Sequence, residues 1–137
     1  MGQQQLLLVI LVTIVVGIAA IVALNTFSNS AENANVDAVR TDLGSIALSA
    51  QGYYKKSNLF GGGGNSFTGF TFEGIAFPGL IPDDASDLII SNENGTYEIT
   101  SAAGPELVVE ATPASNEERT FTATIRANGF EVEEDDD

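Results

Sequence analysis

The side chains of this sequence that could do chemistry are chiefly carboxylates. There are 19 Asp and Glu against 5 Lys and Arg, with no His and no Cys. The lack of His removes the commonest general base and metal ligand. The lack of Cys removes thiolate nucleophiles, Cys-based metal sites and disulfides. The tightest acidic grouping, Asp83-Asp84-Ala85-Ser86-Asp87, offers oxygens to a hard cation such as Ca²⁺. Its spacing lacks the glycine and the closing glutamate of an EF-hand loop, so an exposed polar turn is expected. Residues 133–137 would gather divalent cations only loosely. A glycosidase needs two acids facing each other in a cleft, and nothing singles out such a pair. No catalytic residue, cofactor or metal ligand is therefore expected.

Two further motifs invite a chemical reading. Gly61-Gly62-Gly63-Gly64-Asn65-Ser66 lacks the Gly-Lys-Ser/Thr ending and following helix of a phosphate-binding P-loop, and is expected to be a flexible turn. Asn94-Gly95-Thr96 matches a glycosylation sequon, but Asn-Gly is also hairpin-turn chemistry, the better explanation here. The net charge of −14 repels phosphates and anionic headgroups, so no nucleic-acid partner is expected. The acidity reads as solubility.

The elements that would carry these residues emerge from apolar periodicity. Between Phe67 and Phe72 the chain is aromatic and Gly-punctuated, an edge strand or an ordered loop. Leu88 to Ile90 and Tyr97 to Thr100 flank Asn92-Glu93-Asn94-Gly95, a hairpin signature. Glu106 to Glu110 is another short run. From Arg119 to Ala127, Phe121, Ala123, Ile125 and Ala127 alternate with polar residues, predicting a strand with one face packed and one wet. Asn128-Gly129 leads into a last run, Phe130 to Val132. Residues 131–137 hold six acids and no base, expected to form a solvated, mobile end.

Earlier in the chain the period is helical. Val36, Val39, Leu43, Ile46, Ala50 and Tyr53 recur at steps of three and four, one apolar stripe expected to pack on the sheet. Gly44 and Gly52, each costing a helix about 1 kcal/mol relative to Ala, are expected where helix and sheet approach closely. No proline precedes Pro78, so one helix of about 80 Å could run over residues 3–56.

The first part of that helix has no polar face. Residues 6–24 carry no charge, and fourteen of these nineteen are Leu, Ile or Val. A helix of this length spans roughly 28 Å, close to the hydrocarbon thickness of a bilayer at about 30 Å. At about −0.3 to −0.6 kcal/mol each, those fourteen favour insertion by up to about −4 to −8 kcal/mol. Residues 1–5 lack the positive n-region of a cleaved secretory signal, and the run is too long for one. The first Lys or Arg is Arg40, so an N-terminus in the cytoplasm with the following domain exported is expected. Gly17, with Ala19, Ala20 and Ala23, would let neighbouring helices approach closely.

This layout resembles the type IV pilin family of bacterial fimbriae. It has a short leader, an apolar segment starting at once, an unbroken long helix, a Gly-rich exit and a small antiparallel sheet. The resemblance implies an α+β fold, with a leader over residues 1–2, the helix over 3–56 and a head domain with an acidic tail over 57–137. It implies cleavage after Gly2 by a prepilin peptidase, methylation of Gln3 as the mature N-terminus, and Gly17 as a helix-loosening glycine. The implied filament core is Leu6, Leu7, Leu8, Val9, Ile10, Leu11, Val12, Ile14, Val15, Val16, Gly17, Ile18, Ile21, Val22 and Leu24. The family's N-terminal Phe and fifth-position Glu are replaced by Gln3 and Leu7. The implied partners are other copies of the chain, the peptidase and the pilus assembly machinery. The chain would reside in the inner membrane before assembly and in a cell-surface filament afterwards. The other expectation is a monomeric single-pass membrane protein whose exported β domain binds a ligand or a protein.

Overall fold

The computed structural model describes residues 2–84 and 86–135. Met1 of the expected leader, Ala85 of the acidic turn, and Asp136 and Asp137 of the expected tail lie outside them. The fold is α+β: one long helix, α1 (Gly2–Lys55), and a five-stranded antiparallel sheet. The chain divides into two units, one ending at Ala34 and one beginning at Asn35.

The first unit is helix alone. Its polar residues do not interrupt it, because the Thr13 and Thr26 hydroxyls donate to the carbonyls of Val9 and Val22, four residues back, at 2.8 and 2.9 Å. Gly17 has open space around it.

In the second unit α1 contributes Val36, Val39, Leu43, Ile46, Ala47 and Ala50 to the core. The exit from the helix is ordered. Three amides fold back onto its last carbonyls: Gly63 donates to Tyr53 at 2.8 Å, Asn65 to Tyr54 at 2.7 Å and Gly64 to Lys56 at 2.8 Å. These bonds satisfy acceptors that a helix end leaves open. Glycine is required because a side chain at Gly62 would overlap the Lys56 carbonyl, and one at Gly63 the Ser66 carbonyl. The expected flexible turn is thus a tightly packed helix cap.

The strands are β1 (Ile89–Ser91), β2 (Gly95–Ala103), β3 (Glu106–Pro113), β4 (Thr120–Arg126) and β5 (Gly129–Asp135), each hydrogen-bonded to the next in sequence. Period-two alternation puts Tyr97, Ile99, Leu107, Val109, Ala111, Phe121, Ala123 and Ile125 on one buried face. A bulge between Ile99 and Ser101 shifts the register of β2 on β3. Residues 67–72 form no strand: Gly69 at φ 83° turns the chain, and a short 3-10 turn begins at Phe72. Phe67, Phe70 and Phe72 are nevertheless fully buried, with Phe70 edge-on to Tyr53 at 5.3 Å.

The acidic end differs from expectation over its described residues. β5 carries Glu131, Glu133, Glu134 and Asp135 as strand, paired with β4 as far as Thr120 opposite Asp135. Side chains on and just before β4 supply the compensation. Arg119 Nε donates to Glu134 at 2.7 Å, and Thr122 Oγ1 donates to Asp135 at 2.8 Å. Arg126 lies 3.7 Å from Glu131, and Arg40 on α1 lies 3.9 Å from Glu134. Gly44 faces the Phe130 ring, from which a β-carbon would stand at 3.7 Å, an ordinary contact. Gly52 faces open space, so close approach to the sheet does not explain it.

Leu43 is fully buried, whereas Leu48 on the same helix is 69% exposed. In denaturant unfolding of the full chain in detergent, Leu43→Ala is expected to lose about 2–5 kcal/mol. Leu48→Ala is expected to stay within about 0.5 kcal/mol of the unaltered chain.

Candidate functional site

The residues implied as a filament core share one property. Every large apolar side chain from Leu6 to Leu24 is exposed, from 53% at Val12 to 70% at Leu24. Gly2 and Gly17 meet no other atom within reach of a β-carbon, and Gln3 is exposed. The helix is long and apolar enough here to cross a membrane, and its most apolar stretch is entirely uncovered. Leu, Ile and Val point in all directions around the axis, so no rotation of α1 would hide them. Such a surface belongs in lipid or against other protein.

The six residues of the expected helix–sheet stripe lie elsewhere on α1. Val36, Val39, Leu43, Ile46 and Ala50 are buried, and half-buried Tyr53 packs against the same core. Ala47 joins them between Ile46 and Ala50.

Beside that stripe is a polar cluster that periodicity did not reveal. Asp42 Oδ2 accepts three hydrogen bonds: from the Tyr97 hydroxyl at 2.6 Å, Asn94 Nδ2 at 2.8 Å and Asn92 Nδ2 at 2.9 Å. Asn92 Oδ1 in turn accepts from the amides of Asn94 and Gly95, which shapes the β1–β2 turn. About two helical turns earlier, Asn35 Nδ2 donates to the Asn94 carbonyl at 2.8 Å, and its Oδ1 accepts from the Ser115 hydroxyl at 2.7 Å. Asp42 and Asn35 therefore latch α1 to the β1–β2 and β3–β4 turns. Burial by itself would raise the Asp42 pKa, but the bonds from Asn94, Tyr97 and Asn92 outweigh it and hold the carboxyl below its usual 3.8. Burial, then the bond to Asp42 and its negative charge, push the Tyr97 phenol far above its ordinary value. Neither group is poised to exchange protons near neutrality.

The cluster also decides the sequon. The Asn94 side-chain amide is engaged by Asp42 and half-buried, so a sugar there would break the latch. The signal available in the sequence was Asp42 itself, a carboxylate beside the stripe residues Val39, Leu43 and Ile46, facing a turn with two Asn. An open cleft of about 670 Å³ adjoins the latch, lined by Asp42, Asn92, Glu93 and Asn94 together with Pro78 and Leu80. Asp83, Asp84 and Ser86 are exposed and Asp87 half-buried. Among the described residues no three His, Cys, Asp or Glu are grouped to hold a metal.

No family model, no curated protein and no solved structure matches the chain.

Because the folded state holds Asp42 below its unfolded value near 3.8, its contribution to stability is present in full above that value and is lost as pH falls from there through the lower folded value. Unfolding midpoints of the full chain measured from about pH 6 to pH 2 should show Asp42→Asn less stable by about 1–3 kcal/mol at the upper end. That difference should shrink toward the lower end. A constant difference across the range would assign the latch no charged component.

Proposed function

We propose that this chain is a structural, non-enzymatic subunit of a pilin-like filament, assembled by burying the apolar segments of its helices against one another. The carrying observation is the change in α1 along its length. Between Val36 and Ala50 its stripe of Val36, Val39, Leu43, Ile46, Ala47 and Ala50 is buried in the chain's own core, whereas from Leu6 to Leu24 every large apolar side chain is exposed. Completing the burial of a half-exposed Leu, Ile or Val gains on the order of 1 kcal/mol. Fourteen of them together match the whole stability of a typical domain, about 5–15 kcal/mol. Water is not the resting place of this segment.

Both a bilayer and a bundle of like helices meet that demand, and the proposal uses them in turn. Before assembly the segment lies in the inner membrane with the domain exported. Transfer into a bundle then exchanges lipid contacts for helix contacts, eased by small residues such as Gly17, Ala20 and Ala23. A heterologous contact repeated without closure gives an open helical polymer. The acidic domains would coat its outside and keep neighbouring polymers apart within about 8 Å at physiological salt. Cleavage after Gly2 by a prepilin peptidase and methylation of Gln3 belong to this proposal. So does the pilus assembly machinery as partner.

Shearing cells that make the chain and imaging the released material by electron microscopy is expected to yield filaments containing it. Protein that stays wholly in the membrane fraction, with no filament, would favour the single-pass alternative and overturn this one. Mass spectrometry of the purified chain is expected to find a methylated N-terminus at Gln3. An intact Met1, or a terminus near Leu24, would exclude processing at Gly2.

A further inference from the structure

Five cations serve this chain, and three are engaged. Arg40, Arg119 and Arg126 all pair with carboxylates of β3 and β5. Lys55 and Lys56, exposed at the end of α1, have no ion pair among the described residues. Lys55 suits the negative end of the helix dipole, but the dipole gives no reason for the apolar residues just beyond it. Leu59 and Phe60, in the short 3-10 turn after the helix, are 90% and 75% exposed. Two free cations and two uncovered apolar side chains thus form one small patch.

The complementary surface is the open cleft at the other end of the helix–sheet packing. It presents exposed Glu93 and the Asp42 carboxylate beside Pro78 and Leu80, and Leu80 is 80% exposed. Within one chain the two cannot meet, since Asp42 and Lys55 are thirteen residues apart on one rigid helix, roughly 20 Å. We propose that the Lys55, Lys56, Leu59 and Phe60 patch of one copy docks into the Asp42, Glu93 and Leu80 cleft of a second copy.

Charge and polarity both match, with Lys against Glu93 and Asp42, and Leu59 and Phe60 against Leu80 and Pro78. On a surface of net charge −14, most other pairings of two copies bring like charges together, and these lysines are the available exception. The contact joins two different patches, so it is heterologous and leaves an unused patch and an unused cleft at the ends. With helices parallel, each copy is offset from the next by about 20 Å along the axis. Four side chains cover far less than the roughly 800 Å² per partner of a stable pairwise interface. The contact therefore orients neighbours, while the segments over residues 6–24 supply the association. It deepens the filament proposal and rests on it.

The natural absence of cysteine gives a clean test. In filaments sheared from cells making the full chain with Leu59→Cys and Leu80→Cys together, mild oxidation is expected to give a ladder of covalent multimers. Peptide mapping should join position 59 to position 80. Either substitution alone can give dimers at most. Adding Lys55→Glu and Lys56→Glu should cut the ladder at least tenfold, and a further Glu93→Lys should recover part of it. Filaments with no link between 59 and 80 would overturn this contact and leave the filament proposal standing. Absence of filaments from the unaltered chain would overturn both. Labelling of Leu59→Cys by a membrane-embedded thiol reagent, in place of the link, would put the patch on lipid and overturn the contact.

Discussion

A sheet with one apolar face must have that face covered, and here about four turns of α1 are the cover. Tyr97, Ile99, Leu107, Val109, Phe121 and Ile125 would otherwise form an exposed patch of the kind that drives association. The stripe from Val36 to Ala50 meets them, and the aromatic loop of Phe67, Phe70 and Phe72 completes the same core. Once the stripe is used in this way, the apolar face of the sheet is filled. One helix therefore carries two separate solvation demands. The chain's own sheet answers only the second.

Apolar packing is non-directional and would tolerate a helix rotated or slid by part of a turn. The Asp42 and Asn35 latch does not. Three donors converge on one carboxylate oxygen at 2.6 to 2.9 Å, and Asn35 reaches two different turns. Shifting α1 by one residue would leave a half-buried carboxylate without its donors, at a cost of about 1–3 kcal/mol. The apolar stripe supplies most of the attraction, and the latch sets where along the helix it acts. The tight glycine cap after Lys55 fixes the other end.

Much of this architecture was legible because it depends on period. Steps of three and four gave the stripe, alternation gave β4, and Asn-Gly marked two hairpins. The uncovered segment needed only composition, since an all-round apolar helix looks the same from any angle. What escaped depends on contacts distant in sequence. For Phe67 to Phe72 the sequence left an edge strand and an ordered loop both open, and Gly69 at positive φ makes it the loop. Residues 131–135 have the composition of a solvated tail but become strand because Arg119 just before β4, Thr122 and Arg126 on β4, and Arg40 on α1 neutralise and bond them. The Asp42 latch joins residues about fifty positions apart, beyond any local pattern.

The same acidic strand has a consequence for how copies can meet. β5 is one edge of the sheet, and its exposed Glu131, Glu133 and Asp135 stand opposite Thr124, Thr122 and Thr120. Two such edges brought together would set acid against acid, which opposes strand pairing between copies. At the opposite edge β1 has three residues, and the backbone of Leu80 already bridges Ser91 on its outer side. Both edges are thus closed to pairing, one by charge and one by shortness and cover. Any association between copies would then run through other surfaces, chiefly the uncovered length of α1, so the proposed polymer is helix-cored rather than sheet-joined.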